Sequence, residues 1–423
     1  MDGEVKNWAG NVTFGAARFS QPTSVARLQQ LVAGSRQVRA LGTGHSFNRI
    51  ADTVGDLVSL AALPPVIEID SARSVVEVGA GVRYGELAGH LHRNGFALHN
   101  LGSLPHISVA GAIATATHGS GDANASLATA VAAIELVTAD GELRLLSRAG
   151  DTAEEFQASV VGLGSLGILS RLWLAVEPTF QVRQHVFDGL SQGQLLEHLD
   201  EFLASAYSVS LFTGWGATPQ FQAWRKRRVG ESDDGGAERT FFGATAAPTA
   251  RHPLPGMTGD NCTEQFGVPG PWHERLPHFR LEFIPSRGEE LQSEYLVARQ
   301  YAHEAIRALS AIRHVVSPVL QVCELRSIAA DEFWLSPSYR QDCLGMHFTW
   351  IPDTAAVTPV LVEIERQLAP YRTRPHWGKL FCVEPDELRG RYERYADFER
   401  LLALRDPQRK FGNEFIGRYF TPS

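Results

Sequence analysis

Cysteine is scarce: four residues in 423, at positions 262, 323, 343 and 382, with no C-x-x-C pair. So few, spaced so widely, build neither a disulfide framework nor a zinc ligand set, and no metal is expected. Long apolar runs are also missing. No stretch approaches the roughly 20 residues that span a bilayer, so no membrane partner is expected. The opening MDGEVKNWAGNVTF has neither the basic start nor the apolar core of a signal peptide, which points to a cytoplasmic protein. Positive charge is in deficit, 39 Lys and Arg against 47 Asp and Glu. A net charge of −8 argues against a general nucleic-acid binder. The basic run Arg225-Lys226-Arg227-Arg228 beside Trp224 reads as the solvated face of a surface strand.

What is present is an ordinary globular composition, 44% hydrophobic and 20% charged. That excludes disorder and a collagen-like fibre, and at about 100–200 residues per domain the length suggests two or three domains. Residues 1–180 alternate short strands and helices. The spacing of Val25, Leu28, Leu31 and Val32 predicts a helix from Pro22–Thr23 to Gly34. VRAL (38–41) and DLVSL (56–60) read as strands, and VIEID with SVVEVGAG reads as a hairpin. YGELAGHLHRNG (84–95) reads as a helix closed by Gly95. Asp140–Gly141 marks the turn of a hairpin at 132–147.

Beyond residue 180 the texture changes. Strand candidates are QHVF, SVSLFTGW, FQAWRKRRV, LEFIP, VLQVCELRSIA and LGMHFTWI, with helices at 293–310 and 354–368. A polar insert lies at 230–239, and a Pro-, His- and Trp-rich passage at 251–278. The expectation is an α+β protein: a first domain at 1–180, a substrate-covering domain at 181–385, and a segment 386–423 returning to the first.

Three glycine motifs need separating. GLGSLG (162–167) matches G-x-G-x-x-G, but a helix precedes it and a strand follows. The dinucleotide fingerprint needs the reverse order, and no acidic residue lies about 20 positions on. GAG at 79–81 fits a tight strand-to-helix turn. GTGHS (42–46) follows a strand, where backbone N–H groups freed by two glycines form a nest for a pyrophosphate. The segment LGSLPHISVAGAIATATHGSG (101–121) is almost wholly small residues, as backbone lying against something large requires. Two such segments can sandwich one long cofactor.

A strand followed by GTGHSFN, then SLPHISVAGAIATATHGSG, then GLGSLGI, resembles the flavin-binding domain of the vanillyl-alcohol-oxidase family. NWAGNVTF, CELRSI, HFTW and HWGK are similar to the alditol (xylitol) oxidases within it, and the likeness runs over nearly the whole chain. The resemblance implies a two-domain fold: an FAD-binding domain plus a cap domain with a mixed or antiparallel sheet. It implies FAD, attached covalently through His45. It places Gly42, Thr43, Gly44 and Ser46 on the pyrophosphate. Ser103, Ser108, Gly111, Thr115, Ala116, Thr117, His118, Ile168 and His376 match further flavin-binding positions.

The C-terminal motifs carry chemistry of their own. Glu324 and Arg326 are two apart, as are His347 and Thr349, so on strands each pair shares a face. Charges on an otherwise apolar strand are costly unless paired or used. Residues alone allow a structural Glu–Arg pair and a core histidine. The resemblance implies instead a polyol site of Ser103, Gln292, Glu324, Arg326, Thr349 and Lys379. An acyclic polyol presents a hydroxyl on every carbon, and a row of fixed polar partners would recognise it. Arg326 and Lys379 suit stabilisation of an alkoxide, and His347 suits assistance of proton removal.

The implied reaction oxidises a terminal alditol hydroxyl (xylitol, sorbitol) to the aldose, with O2 reduced to H2O2 by a monomeric enzyme. A sugar-1,4-lactone oxidase or dehydrogenase of the same fold is the alternative. HWGK departs from the Ala before lysine usual in the lactone enzymes, and Phe47–Asn48 from their Pro–Ser. Gly102, next to Ser103, leaves room for O2.

Overall fold

The computed structural model describes residues 4–230, 239–282 and 289–420. Strand β1 (Arg18–Ser20) precedes helix α1 (Val25–Gly34), which starts where the Ser24 hydroxyl accepts from the Arg27 N–H. Strands β2 (Val38–Leu41) and β3 (Asp56–Ser59) complete a small parallel sheet of order β1-β3-β2. The expected first hairpin is β4 (Ile67–Asp70) with β5 (Val75–Gly79), followed by α2 (Tyr84–Arg93). The small-residue segment contains only one short helix, α3 (Val109–Ala114).

Strands β6 (Val131–Val137) and β7 (Leu143–Ser147) form the second hairpin. Helix α4 (Ala153–Val160) leads through the glycine run into β8 (Ile168–Ala175), so GLGSLG ends a helix and starts a strand. These strands make an antiparallel sheet of order β4-β5-β8-β6-β7.

The large second sheet is antiparallel. Its main strands are β9 (Gln181–Ser191), β10 (Ser208–Thr213), β11 (Gln220–Arg228), β12 (Leu291–Ala298), β13 (Leu320–Ile328) and β14 (Cys343–Trp350). Their spatial order is β9-β11-β10-β13-β14-β12. Helices α5 (Ala302–Ala311) and α6 (Thr354–Leu368) bury apolar faces in the same core cluster as these strands. Near the C-terminus lies α7 (Tyr395–Arg405). The Val38 N–H donates to the Lys410 carbonyl, and Lys410 Nζ donates to the carbonyls of Val32 and Ala139, so this end of the chain packs on the first sheets.

Three expectations fail here. Residues 293–298 are not helical: β12 occupies them and the helix begins at Ala302. Almost every residue of β12 is buried, so the period-two alternation that marks a strand is erased, and β14 supplies the pairing. Second, the basic run is not solvated. Lys226 is fully buried and Arg225 nearly so, because β11 lies inside the sheet between β9 and β10. Arg225 stacks over the Phe241 ring and Arg228 pairs with Glu177. Third, of the strand candidate LEFIP, Leu281 and Glu282 sit in a turn and 283–285 lie outside the described residues. Most of the polar insert, 231–238, lies outside them too.

Candidate active site

A long cavity runs from the Gly42–Ser46 loop to polar side chains on β12, β13 and β14. Its first half is backbone. The loop follows β2, and a Cβ on Gly42 would meet Ser108 Oγ at 2.4 Å, so only glycine lets the two small-residue segments touch. The Ser108 N–H donates to Thr43 Oγ1 at 3.2 Å, tying those segments together. His45 Nδ1 lies 3.0 Å from Thr43 Oγ1, and its ring stacks on Trp8 with centroids 5.1 Å apart. Trp8 is held in turn by its N–H donating to the Gly44 carbonyl at 2.8 Å. Burial pushes the His45 imidazole down to about 4, so it is neutral at pH 7.

Gly111, Thr115, Thr117 and His118 line the cavity alongside Ser103 and Ser108. Leu163, Gly164, Gly167 and Leu169 reach it from the third motif, where buried Arg39 donates to the Leu163 and Gly164 carbonyls at 2.8 Å each. Two expected flavin positions are not among the lining residues. Ile168 is buried in β8 opposite Val137, and Ala116 turns away at φ +55° between the lining Thr115 and Thr117.

The second half is charged, and register assembles it. On β13, β14 and β12, Glu324, His347 and Glu294 stand directly beside one another. Arg326 faces Gly345 on β14, and its guanidinium reaches across that strand to Glu294 at 2.8 Å. Around Glu294, Lys379 Nζ and His118 Nε2 each lie 3.3 Å away and His347 Nδ1 3.6 Å. Burial alone would raise the Glu294 pKa, but Arg326, Lys379 and His118 together hold it well below the usual carboxylate range. Glu324 is likewise held low by Arg326 and His278 against its burial.

Lys379 Nζ donates to Gln292 Oε1 at 2.8 Å and lies 2.7 Å from His347 Nδ1. Burial lowers its pKa, with Arg326 acting in the same sense and Glu294 opposing. Burial, then Lys379, pushes His347 down to about 4. Thr349 Oγ1 is 3.4 Å from His347 Nε2. The Arg326 guanidinium touches Ser103 Oγ at 3.3 Å, while its Nε, though buried, has no partner among the described residues.

The two halves are stitched through HWGK. Asn48 Nδ2 donates to the carbonyls of Trp377 and Lys379, at 2.8 and 2.7 Å, and the Phe47 N–H donates to that of Gly378. The Phe-Asn that follows GHS therefore sets where Lys379 stands. His376 is buried beside it, its Nδ1 accepting from the Gly378 N–H.

Sequence reasoning missed Glu294 and His278. Glu294 lay hidden in a segment that reads as helix. His278 sits in a passage without periodicity, and neither residue carries a motif. Gln292, expected against substrate, lines the cavity, with its amide engaged by Lys379 and Glu290.

Residues 16–147 match the FAD binding domain family, and residues 287–419 match the D-arabinono-1,4-lactone oxidase family. The chain is 48% identical to the alditol oxidase of a Streptomyces species, over 98% of this chain and 99% of that one. It is 29% identical to the L-gulono-1,4-lactone dehydrogenase of Mycobacterium tuberculosis, over 98% and 99% of the two chains. Among solved structures, cholesterol oxidase from B. sterolicum superposes with a TM-score of 0.79 at 14% identity, covering 99% of this chain and 96% of the other. That last likeness is one of fold.

Proposed function

The chain belongs to the alditol oxidases of the FAD-dependent vanillyl-alcohol-oxidase family, and from that premise we propose that it oxidises the terminal hydroxyl of xylitol, sorbitol and related alditols to the aldose. The residues present fit FAD: a glycine-lined cradle at Gly42, Gly44 and Gly111 opens into the charged half of the same cavity. When bound, FAD supplies the hydride acceptor and, reoxidised by O2, the route to H2O2. Neutral His45, clamped between Thr43 and Trp8, is the proposed covalent tether.

The observation that carries the reading is the pair of cations, Arg326 and Lys379, both paired with buried Glu294 and lining the cavity. Fixed positive charge there stabilises the oxygen of the reacting hydroxyl as it loses its proton. Lys379 and neutral His347 are close enough to move that proton together. Lys379 hands a proton to His347 Nδ1 as it takes up the substrate's, and Glu294 offsets the added charge. Glu324, Thr349 and Ser103 are left to match further hydroxyls.

All these groups come from one chain, so a monomer suffices. The four cysteines are free, three of them buried, which supports a reducing, cytoplasmic compartment. A sugar-1,4-lactone oxidase or dehydrogenase is the second reading, favoured by the family match of residues 287–419. Peroxide release from xylitol, sorbitol, glycerol and a 1,4-lactone separates the two. Alditols are expected to be oxidised with the higher kcat/KM, and a lactone preferred over every alditol overturns the proposal.

A further inference from the structure

Lys226 lies at the heart of the second domain, fully buried on β11, outside every role assigned above. Burying an ammonium is costly unless all its protons are matched. Here the match is complete. Nζ has three acceptors: the Leu276 carbonyl at 2.5 Å, the Pro277 carbonyl at 3.2 Å and His278 Nδ1 at 3.3 Å. Burial lowers the Lys226 pKa to about 7, and in its protonated form Nζ offers only donors, so His278 Nδ1 is then the acceptor and the ring proton sits on Nε2. That Nε2 lies 3.0 Å from Glu324 Oε1. The ring cannot swing away, since Phe212 and Trp224 pack edge-on against it at 5.2 and 5.3 Å.

We propose that Lys226 and His278 are positioning residues for alditol binding: Lys226 fixes the tautomer of His278, and His278 fixes the rotamer and charge of Glu324. One carboxylate oxygen is taken by a neutral donor, which leaves Oε2, 3.7 Å from Arg326 Nη1, as the acceptor this cavity-lining residue offers a substrate hydroxyl. Burial and Lys226 keep the His278 ring neutral, its pKa down at about 4, so it donates without discharging Glu324. With the other tautomer, two lone pairs would face each other across the 3.0 Å gap, and Glu324 would have to turn. The inference rests on Glu324 contacting an alditol, as proposed above.

The test uses the flavin-loaded enzyme. Lys226→Met is expected to raise the KM for xylitol about tenfold while kcat changes less than about threefold. In a Glu324→Ala background the same substitution is expected to change KM less than about twofold, because its target is gone. His278→Gln, whose amide both accepts from Lys226 and donates to Glu324, should keep KM near wild type, whereas His278→Leu should match Lys226→Met. The glutamine–leucine comparison decides the matter if Lys226→Met fails to fold. An equal KM penalty in both backgrounds, or no difference between glutamine and leucine, overturns the proposal and leaves Lys226 a staple for residues 276–277. Nitrogen-15 spectra of the histidines read the tautomer without any substrate. Wild type should carry the His278 proton on Nε2, and a proton on Nδ1 overturns the proposal even if xylitol proves not to be a substrate. Failure with every alditol alongside an Nε2 proton would overturn the functional reading alone.

Discussion

Glu294 and Arg326 meet at 2.8 Å across an intervening strand. The guanidinium comes from β13 and the carboxylate from β12, and both line the same cavity. Glu294 is 1% exposed. Its charge acts on Arg326 and Lys379 at once, raising the pKa of each against burial.

Glu294→Gln removes that charge while keeping the shape. It leaves two buried cations with one counter-ion fewer, and breaking such a buried pair costs about 3–5 kcal/mol. Chemical denaturation of the variant should show a loss of that order, and kcat/KM for xylitol should fall at least about a hundredfold. A variant as stable and active as wild type would show that Glu294 does not organise the site.

His45→Ala should release its flavin. After acid precipitation, fluorescence is expected to stay with the wild-type polypeptide and to pass into the supernatant for the variant. Complete release from wild type would remove the covalent assignment.

His347→Gln tests the proton pathway. The amide can still orient Lys379 but cannot accept a proton, so anaerobic flavin reduction by xylitol should slow about a hundredfold. Reduction at the wild-type rate would confine His347 to a structural role.

Gly102 has room for one more carbon, since a Cβ would approach nothing nearer than Thr117 Cγ2 at 3.7 Å. Gly102→Val should therefore fold, while its methyls project into the flavin half of the cavity. Reoxidation by O2 is expected to slow about tenfold and reduction by xylitol much less. Equal loss in both half-reactions would discard the gating idea.

Acid should destabilise the protein from an unusually high pH. Buried His278 and His347 have folded pKa values pushed from 6.5 to about 4, so each is neutral in the native state where it is protonated when unfolded. Their stability contribution is complete above pH 6.5 and falls as pH drops towards 4, at up to about 1.4 kcal/mol per pH unit for each ring. Glu294 and Glu324, both held below the ordinary carboxylate range, extend the loss to lower pH. The melting temperature should decline steadily from pH 6.5 to 4.5, and a flat profile would contradict the neutral-histidine assignment.

Much of the site was legible because local chemistry announces it. GTGHS needs its glycines for backbone reasons that hold in any context, and the spacing in CELRSI and HFTW puts each pair on one strand face. The same logic failed wherever burial was two-sided. In β12, apolar residues on both faces and good helix formers hid a strand, and Glu294 with it. In RKRR, four charges suggested water, yet Lys226 is sealed by two carbonyls and an imidazole that arrive from fifty residues away.

The sequence by itself determined the two small-residue segments, the strand-borne polar pairs and the family they identify, because glycine tolerance and strand periodicity are local properties. Tertiary structure alone decided which charges meet. Strand order β13-β14-β12 brings Glu324, His347 and Glu294 into one row, and Arg326 reaches across β14 to join it. Long-range pairing and complete desolvation set those contacts, and both depend on the whole folded sheet rather than on any stretch of chain.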